Sequence, residues 1–205
     1  MIDAGIQVGV VYPQIELGGE ADAVRAIGDA IEAQGYRHLV AYDHVLGAEQ
    51  ADRQPELTGP YDENDPFHDP FVLFAYLAGR SDTLEFASGV LILPQRQTAL
   101  VAKQAADLAV LSGNRLRLGV GVGWNWVEYE ALGEDFATRG QRANEQIELL
   151  RRYWTEPTVS FAGRFDRVER AGIVPRPSVP PPVWVGGFGA ASLRRAVRLG
   201  DGFIF

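Results

Sequence analysis

A chain of 205 residues with 46% hydrophobic and 22% charged residues has the size and balance of one globular domain with a real core. Its formal charge of −8 and pI of about 4.9 set nucleic acid and anionic membrane low among partners, leaving a small-molecule substrate as the first expectation. Cysteine is absent, which removes disulfides and thiolate metal sites, and no apolar run reaches the roughly 18 residues of a membrane span. Residues 1–5 carry neither the basic flank nor the apolar block of a signal peptide, so the cytoplasm is the expected compartment.

Residues 6–12 (IQVGVVY) form a short β-branched run closed by Pro13 and are predicted as the first strand. Val24, Ile27 and Ile31 then fall at helical spacing, with Gly35 as the stop. A second strand is predicted over 38–42 (HLVAY) and a third over 84–93 (LEFASGVLIL), which Pro94 ends. Val101, Ala105, Leu108 and Leu111 share a helical face that Gly113-Asn114 terminates. Residues 115–122 (RLRLGVGV) are the fourth strand, and a helix is predicted over about 139–154. The fifth strand is 183–185 (VWV); a last helix stops at Gly200, and residues 203–205 begin a sixth strand.

Strands that are apolar throughout and alternate with helices indicate an α/β fold with a parallel sheet covered by helices. Two insertions break the rhythm of what otherwise reads as a single domain over 1–205. Residues 46–71, with Pro55, Gly59, Pro60, Pro66 and Pro70, are expected as a long loop. Residues 158–182 carry VSFAGRF, compatible with a small hairpin, and then the proline-rich VPRPSVPPP. Periodicity does not choose between a barrel and a doubly wound sheet. The glycines at 119, 121 and 123 miss the dinucleotide pattern, because its third glycine would stand at position 124, which is Trp124.

Four ordered blocks resolve that choice by resemblance. Residues 88–133 (SGVLILPQRQTALVAKQAADLAVLSGNRLRLGVGVGWNWVEYEALG) are similar to the central signature of the bacterial luciferase-like monooxygenases. Residues 41–45 (AYDHV), 136–142 (FATRGQR) and 180–202 (PPPVWVGGFGAASLRRAVRLGDG) resemble three further blocks of that family, in the family's order. The resemblance implies a TIM-type (β/α)8 barrel with its site at the C-terminal strand ends. Six predicted core strands fall short of eight, so the barrel is expected to lack its last strands in this chain. A fragment, closure by a second chain and a natively shortened fold are all compatible with that count.

The family further implies coenzyme F420 (a deazaflavin) or FMN as cofactor, an F420-dependent oxidoreductase being the first expectation and an FMN-dependent monooxygenase the second. A non-catalytic flavin-binding protein and a subunit completing a partner's barrel are the other expectations; a homodimer is the expected assembly. By resemblance Asp43 and His44 are the catalytic candidates, His44 serving as a base in hydride transfer, against the plainer reading of a loop-bonding histidine. Ser88, Gly89 and Val90 would form a bulge under the cofactor, with a cis peptide between Gly89 and Val90; an ordinary strand glycine is the alternative. Gly121, Gly123, Trp124 and Asn125 would let the cofactor approach and wall its pocket. Gly186, Gly187, Phe188 and Gly189 precede a helix and would cradle a phosphate, or simply make a tight turn. Trp124 stands where the sugar-phosphate dehydrogenase branch has an acid, which counts against a sugar-phosphate substrate. Glu128 is a weak substitute, equally read as a solvated helix residue. His38 and His68 read as a strand and a loop residue, and no spacing suggests a metal site.

Overall fold

The computed structural model describes residues 6–205; residues 1–5, read above as free of a signal-peptide pattern, lie outside the described residues. The elements in chain order are β1 (Val10–Val11), α1 (Ala21–Ala33), β2 (His38–Ala41), α2 (Pro70–Ala78), β3 (Glu85–Ser88) and β4 (Leu91–Ile92). There follow α3 (Thr98–Leu111), β5 (Leu116–Gly121), α4 (Trp126–Ala131), α5 (Arg139–Thr155), the hairpin β6 (Val159–Ala162) and β7 (Arg167–Ala171), β8 (Val183–Gly186), α6 (Ala190–Leu199) and β9 (Gly202–Ile204).

The main sheet is parallel and runs β1-β2-β3-β5-β8-β9, with β4 also pairing β5. Each strand therefore lies beside its neighbour in the chain order, and the order never reverses. A doubly wound sheet must reverse at a switch point. A singly wound, curling sheet is the barrel solution, so the fold is a part-barrel of the (β/α)8 type. Six strand positions are filled, and β1 and β9 stand as edges. Among the described residues no helix is long and apolar enough to cross a membrane.

The convex face of the sheet makes the core. Leu39 and Ala41 of β2, Phe86 of β3, Leu116, Leu118 and Val120 of β5, and Val183 and Val185 of β8 are all buried beneath the helices. They meet Val101, Ala105 and Leu108 of α3 and Ile147, Leu150 and Trp154 of α5, the inward positions read from helical spacing. Burial of such side chains stabilises by about 1.5–3 kcal/mol each before entropy is counted. The concave face carries the alternate residues: His38, Val40, Ala87, Arg117 and Trp184 line an open hollow on it.

Two sequence expectations change in detail, and one helix falls outside them. The predicted third strand is broken at Gly89-Val90 into β3 and β4, and the first strand narrows to Val10–Val11. Bonds from Arg37 N–H to Val8 O and from Tyr12 N–H to Val40 O nonetheless keep residues 8–12 alongside β2. The helix α2 had no periodic signal, since PFVLFAYLA is apolar on nearly every side. Its start was written locally: Pro70 is the first helical residue, and the Asp69 carboxylate accepts the Phe71 and Val72 amides. The second insertion does form a hairpin, β6 with β7, followed by a proline-rich strap.

Candidate functional site

The candidate residues gather at the C-terminal ends of the strands, on the concave side. Their heights are set by register: Ala41 lies opposite Ser88, Ile92 opposite Gly121, Val120 opposite Val185, and Gly186 opposite Ile204. Between β3 and β4 the Gly89–Val90 peptide is cis, as the resemblance implied. Val90 there projects across the neighbouring strands. A Cβ built on Gly121 or on Gly186 would collide with its methyl groups, so both glycines are the condition for the bulge to stand where it does. Gly123, at φ +62°, takes a conformation that favours glycine, and a Cβ there would meet Ile92 at 2.8 Å. The result is a backbone-faced platform lying across three strand ends.

Ser88 sits beneath that platform. Its buried hydroxyl donates to the Gly119 carbonyl at 2.7 Å, so it ties β3 to β5. On the far side, Gly186–Gly189 lead into α6. Gly187 is at φ +138° and Gly189 supplies no side-chain cap. The Ser192 and Leu193 amides turn back to Gly189 O at 3.0 and 3.2 Å. The N–H groups of Ala190 and Ala191, at the first helical positions, are left to an outside acceptor. Nothing lies within 4 Å of a Cβ built on Gly189, and Phe188 is 92% exposed. An open helix N-terminus with free amides suits a phosphate.

His44 stands at the end of β2, its ring half enclosed by aromatic side chains. Phe67 lies at 4.7 Å, Tyr61 at 5.2 Å and Trp124 at 5.7 Å between centroids, all edge-on or nearly so. Tyr61 and Phe67 come from the long insertion, which therefore closes over the histidine. Gly59 lets the same insertion lie flat on the Trp124 ring, where a Cβ would clash. His44 also lines a cavity of 260 Å³ with Phe67, Gln95, Arg96 and Gln104. Gln95 is 2% exposed, yet neither polar atom of its amide has a protein partner.

Asp43 and His44 are neighbours in the chain but not in role. The Asp43 carboxylate is buried; one oxygen accepts the Ile92 amide at 2.8 Å and the other the Arg96 guanidinium at 2.6 Å. Arg96 spans on to Asp69 at 3.0 Å. Burial raises the Asp43 carboxyl above its ordinary range, and the Arg96 charge opposes the rise. Asp43 thus fixes the β4 end rather than reaching the platform. The acid at His44 is Glu128 of α4, with Oε1 at 3.4 Å from Nδ1. Glu128 is 1% exposed, so the reading of a solvated helix residue is corrected: its oxygen also accepts the Val45 and Leu46 amides at 2.7 and 3.2 Å. Asn125 is likewise committed to the fold. Its Oδ1 caps α4 by accepting the Val127 amide at 3.1 Å, and its Nδ2 donates toward Leu46 O.

Tyr61, Phe67, Arg96 and Asp69 were not among the sequence candidates. Asp69-Pro70 is a capping signal visible in the sequence, and Arg96 follows the LPQ turn. Neither marks a site until the insertion is folded over β2. His38 and His68 fall on β2 and in a loop, as read. No group of three or more metal-ligating side chains occurs among the described residues.

The luciferase-like monooxygenase family matches residues 4–205. An uncharacterised protein of Mycobacterium tuberculosis is 39% identical over 183 residues, which cover 87% of this chain and 63% of its own. An F420-dependent glucose-6-phosphate dehydrogenase of Segniliparus rotundus is 35% identical over 189 residues, 85% of this chain and 50% of its own. Among solved structures, the monooxygenase RslO1 of Streptomyces bottropensis superposes with a TM-score of 0.81 at 21% identity, covering 98% of this chain and 59% of its own. The oxygenating constituent of 3,6-diketocamphane monooxygenase of Pseudomonas putida, in complex with FMN, gives 0.71 at 19% identity, covering 98% and 57%. These last two likenesses are of fold. The chain spans between half and two thirds of the length of each of the four.

Proposed function

This chain belongs to the luciferase-like monooxygenase family, and from that premise we propose that it is an F420-dependent oxidoreductase acting on a small organic substrate. The observation that carries the proposal is the platform: Val90, on its cis peptide, fills the space that side chains at 121 and 186 would otherwise take. A flat polycyclic ring system needs such a surface of backbone and methyl groups. Gly186–Gly189 and the free amides of α6 would hold the cofactor's phosphate, and Trp124 with Tyr61 and Phe67 would wall the space above. When bound, the deazaflavin would give or take a hydride at its C5 carbon.

The chain's own part is to orient, to exclude water and to handle one proton. The aromatic cage keeps bulk water from His44 on three sides. Nε2 of His44 would take the proton from a substrate hydroxyl as hydride leaves the same carbon, or return it in the reverse direction. F420 is preferred because a 35% identical relative over most of this chain is named an F420-dependent dehydrogenase. Use of FMN with oxygen is the second reading, favoured by the overlay on an FMN complex. A homodimer in the cytoplasm belongs to the same reading.

The test is to purify the protein from a host that makes both cofactors and identify the retained ligand by mass spectrometry. F420 is the expected mass. FMN alone would move the assignment to the second reading, and retention of neither would count against both.

A further inference from the structure

The acid that faces the His44 ring is remote in sequence, and its geometry has a consequence for the proton that His44 carries. Glu128 Oε1 lies 3.4 Å from Nδ1, both side chains being at least nine-tenths buried at 9% and 2% exposure. A carboxylate there is an acceptor only. Oε1 already accepts two backbone amides, and an acceptor facing Nδ1 favours the imidazole tautomer that bears hydrogen there. The carboxylate faces Nδ1, so Nε2 is the ring nitrogen without an acidic neighbour among the described residues.

The surroundings leave Glu128 as the one carboxylate in contact with the ring among the described residues. Asp43, the sequence neighbour, is spent on Ile92 N–H and Arg96, and Asp69 is spent on the other side of Arg96. The remaining contacts come from Tyr61, Phe67 and Trp124, which present ring edges and faces but no charge. Glu128 is itself held rigidly. It sits in the first turn of α4, whose start Asn125 caps, and the same Oε1 accepts the amides of Val45 and Leu46.

We propose that Glu128 is the positioning residue of this site: it fixes His44 as the Nδ1–H tautomer, leaves Nε2 as the proton acceptor, and offsets the positive charge that appears when Nε2 is protonated. The pairing of an imidazole with a buried carboxylate on its other nitrogen is a general way to set tautomer and ring orientation. This rests on the base role of His44 proposed above, but the tautomer itself does not depend on any cofactor. In the direction of substrate oxidation the balance is simple. The substrate O–H proton would go to Nε2, the hydrogen on the same carbon would leave as hydride to the deazaflavin the site would hold, and the carbonyl product would remain.

The experiment has two parts. ¹⁵N-histidine spectra of the cofactor-free protein, at a pH where the imidazole is neutral, report the tautomer; His44→Ala assigns the signal among the three histidines. The expected result is Nδ1 protonated and Nε2 bare, and a bare Nδ1 overturns the proposal. Glu128→Gln keeps an oxygen for the Val45 and Leu46 amides while removing the charge. It should lower kcat about 10–100-fold, with KM and cofactor affinity within about twofold of the parent. An unchanged kcat in Glu128→Gln, alongside a His44→Ala variant that has lost turnover, overturns the positioning role. If His44→Ala keeps full turnover, the base role fails instead, and the tautomer result stands by itself.

Discussion

The two faces of one parallel sheet divide the work of this chain. The convex face is built from Leu39, Phe86, Leu116, Leu118, Val120, Val183 and Val185, all in contact with helices. The concave face, at the same strand ends, is built from glycine, backbone and a few polar groups: Gly121, Gly186, the Gly89–Val90 peptide and His44. Because strand residues alternate sides, adjacent positions such as Val120 and Gly121, or Val185 and Gly186, belong to opposite tasks. Side-chain volume holds the first face together, and its absence makes the second usable. Mutations should therefore separate cleanly, with stability lost on one face and binding or turnover lost on the other.

The largest effect is expected at His44, on the concave side. His44→Ala should cut turnover by about 10²–10⁴-fold while leaving cofactor affinity and thermal stability near the parent. Steady-state rates alongside a melting curve check both halves; a variant that merely unfolds would erase the distinction between the faces. Next comes Phe86→Ala on the convex side. Phe86 is fully buried and packs on Phe74 at 5.3 Å between centroids. Its truncation should cost about 3–5 kcal/mol of stability, read by denaturant unfolding, and the molecules that stay folded should bind cofactor as before.

Much of the convex face was legible in the sequence, because its signals are local. Val101, Ala105 and Leu108 repeat at helical spacing, Gly35 and Gly113 stop their helices with positive φ, and each predicted strand region holds at least one strand. The platform was legible too, but only through the resemblance of whole blocks; one glycine in a strand does not say what stands opposite it. What could not be read was contact between distant segments. Glu128 bonds residues 82 and 83 positions earlier in the chain, and nothing in VEYEALG distinguishes it from a solvated acid. The setting of Asp43 was hidden for a similar reason: its carboxylate is taken up by Arg96, 53 residues away. The cage around His44 required the insertion to fold back, and its prolines and glycines announce a loop without giving its direction.

Gly189 allows the division between the faces to be tested at its finest. It is the N-cap of α6, its φ of −103° is open to any residue, and a Cβ meets nothing there. Aspartate is a good N-cap, so Gly189→Asp should leave the fold as stable or slightly more stable. The same carboxylate would occupy and repel the phosphate cradle. The decisive measurement is a fluorescence titration of the parent and of Gly189→Asp with F420 and, separately, with FMN. Saturable binding of F420 to the parent is expected, with a loss of at least about tenfold in affinity, or about 1.4 kcal/mol, in the variant and its melting temperature undiminished. Saturable binding of neither cofactor to the parent, or equal affinity in the two proteins, would contradict a cofactor cradle at Gly186–Gly189.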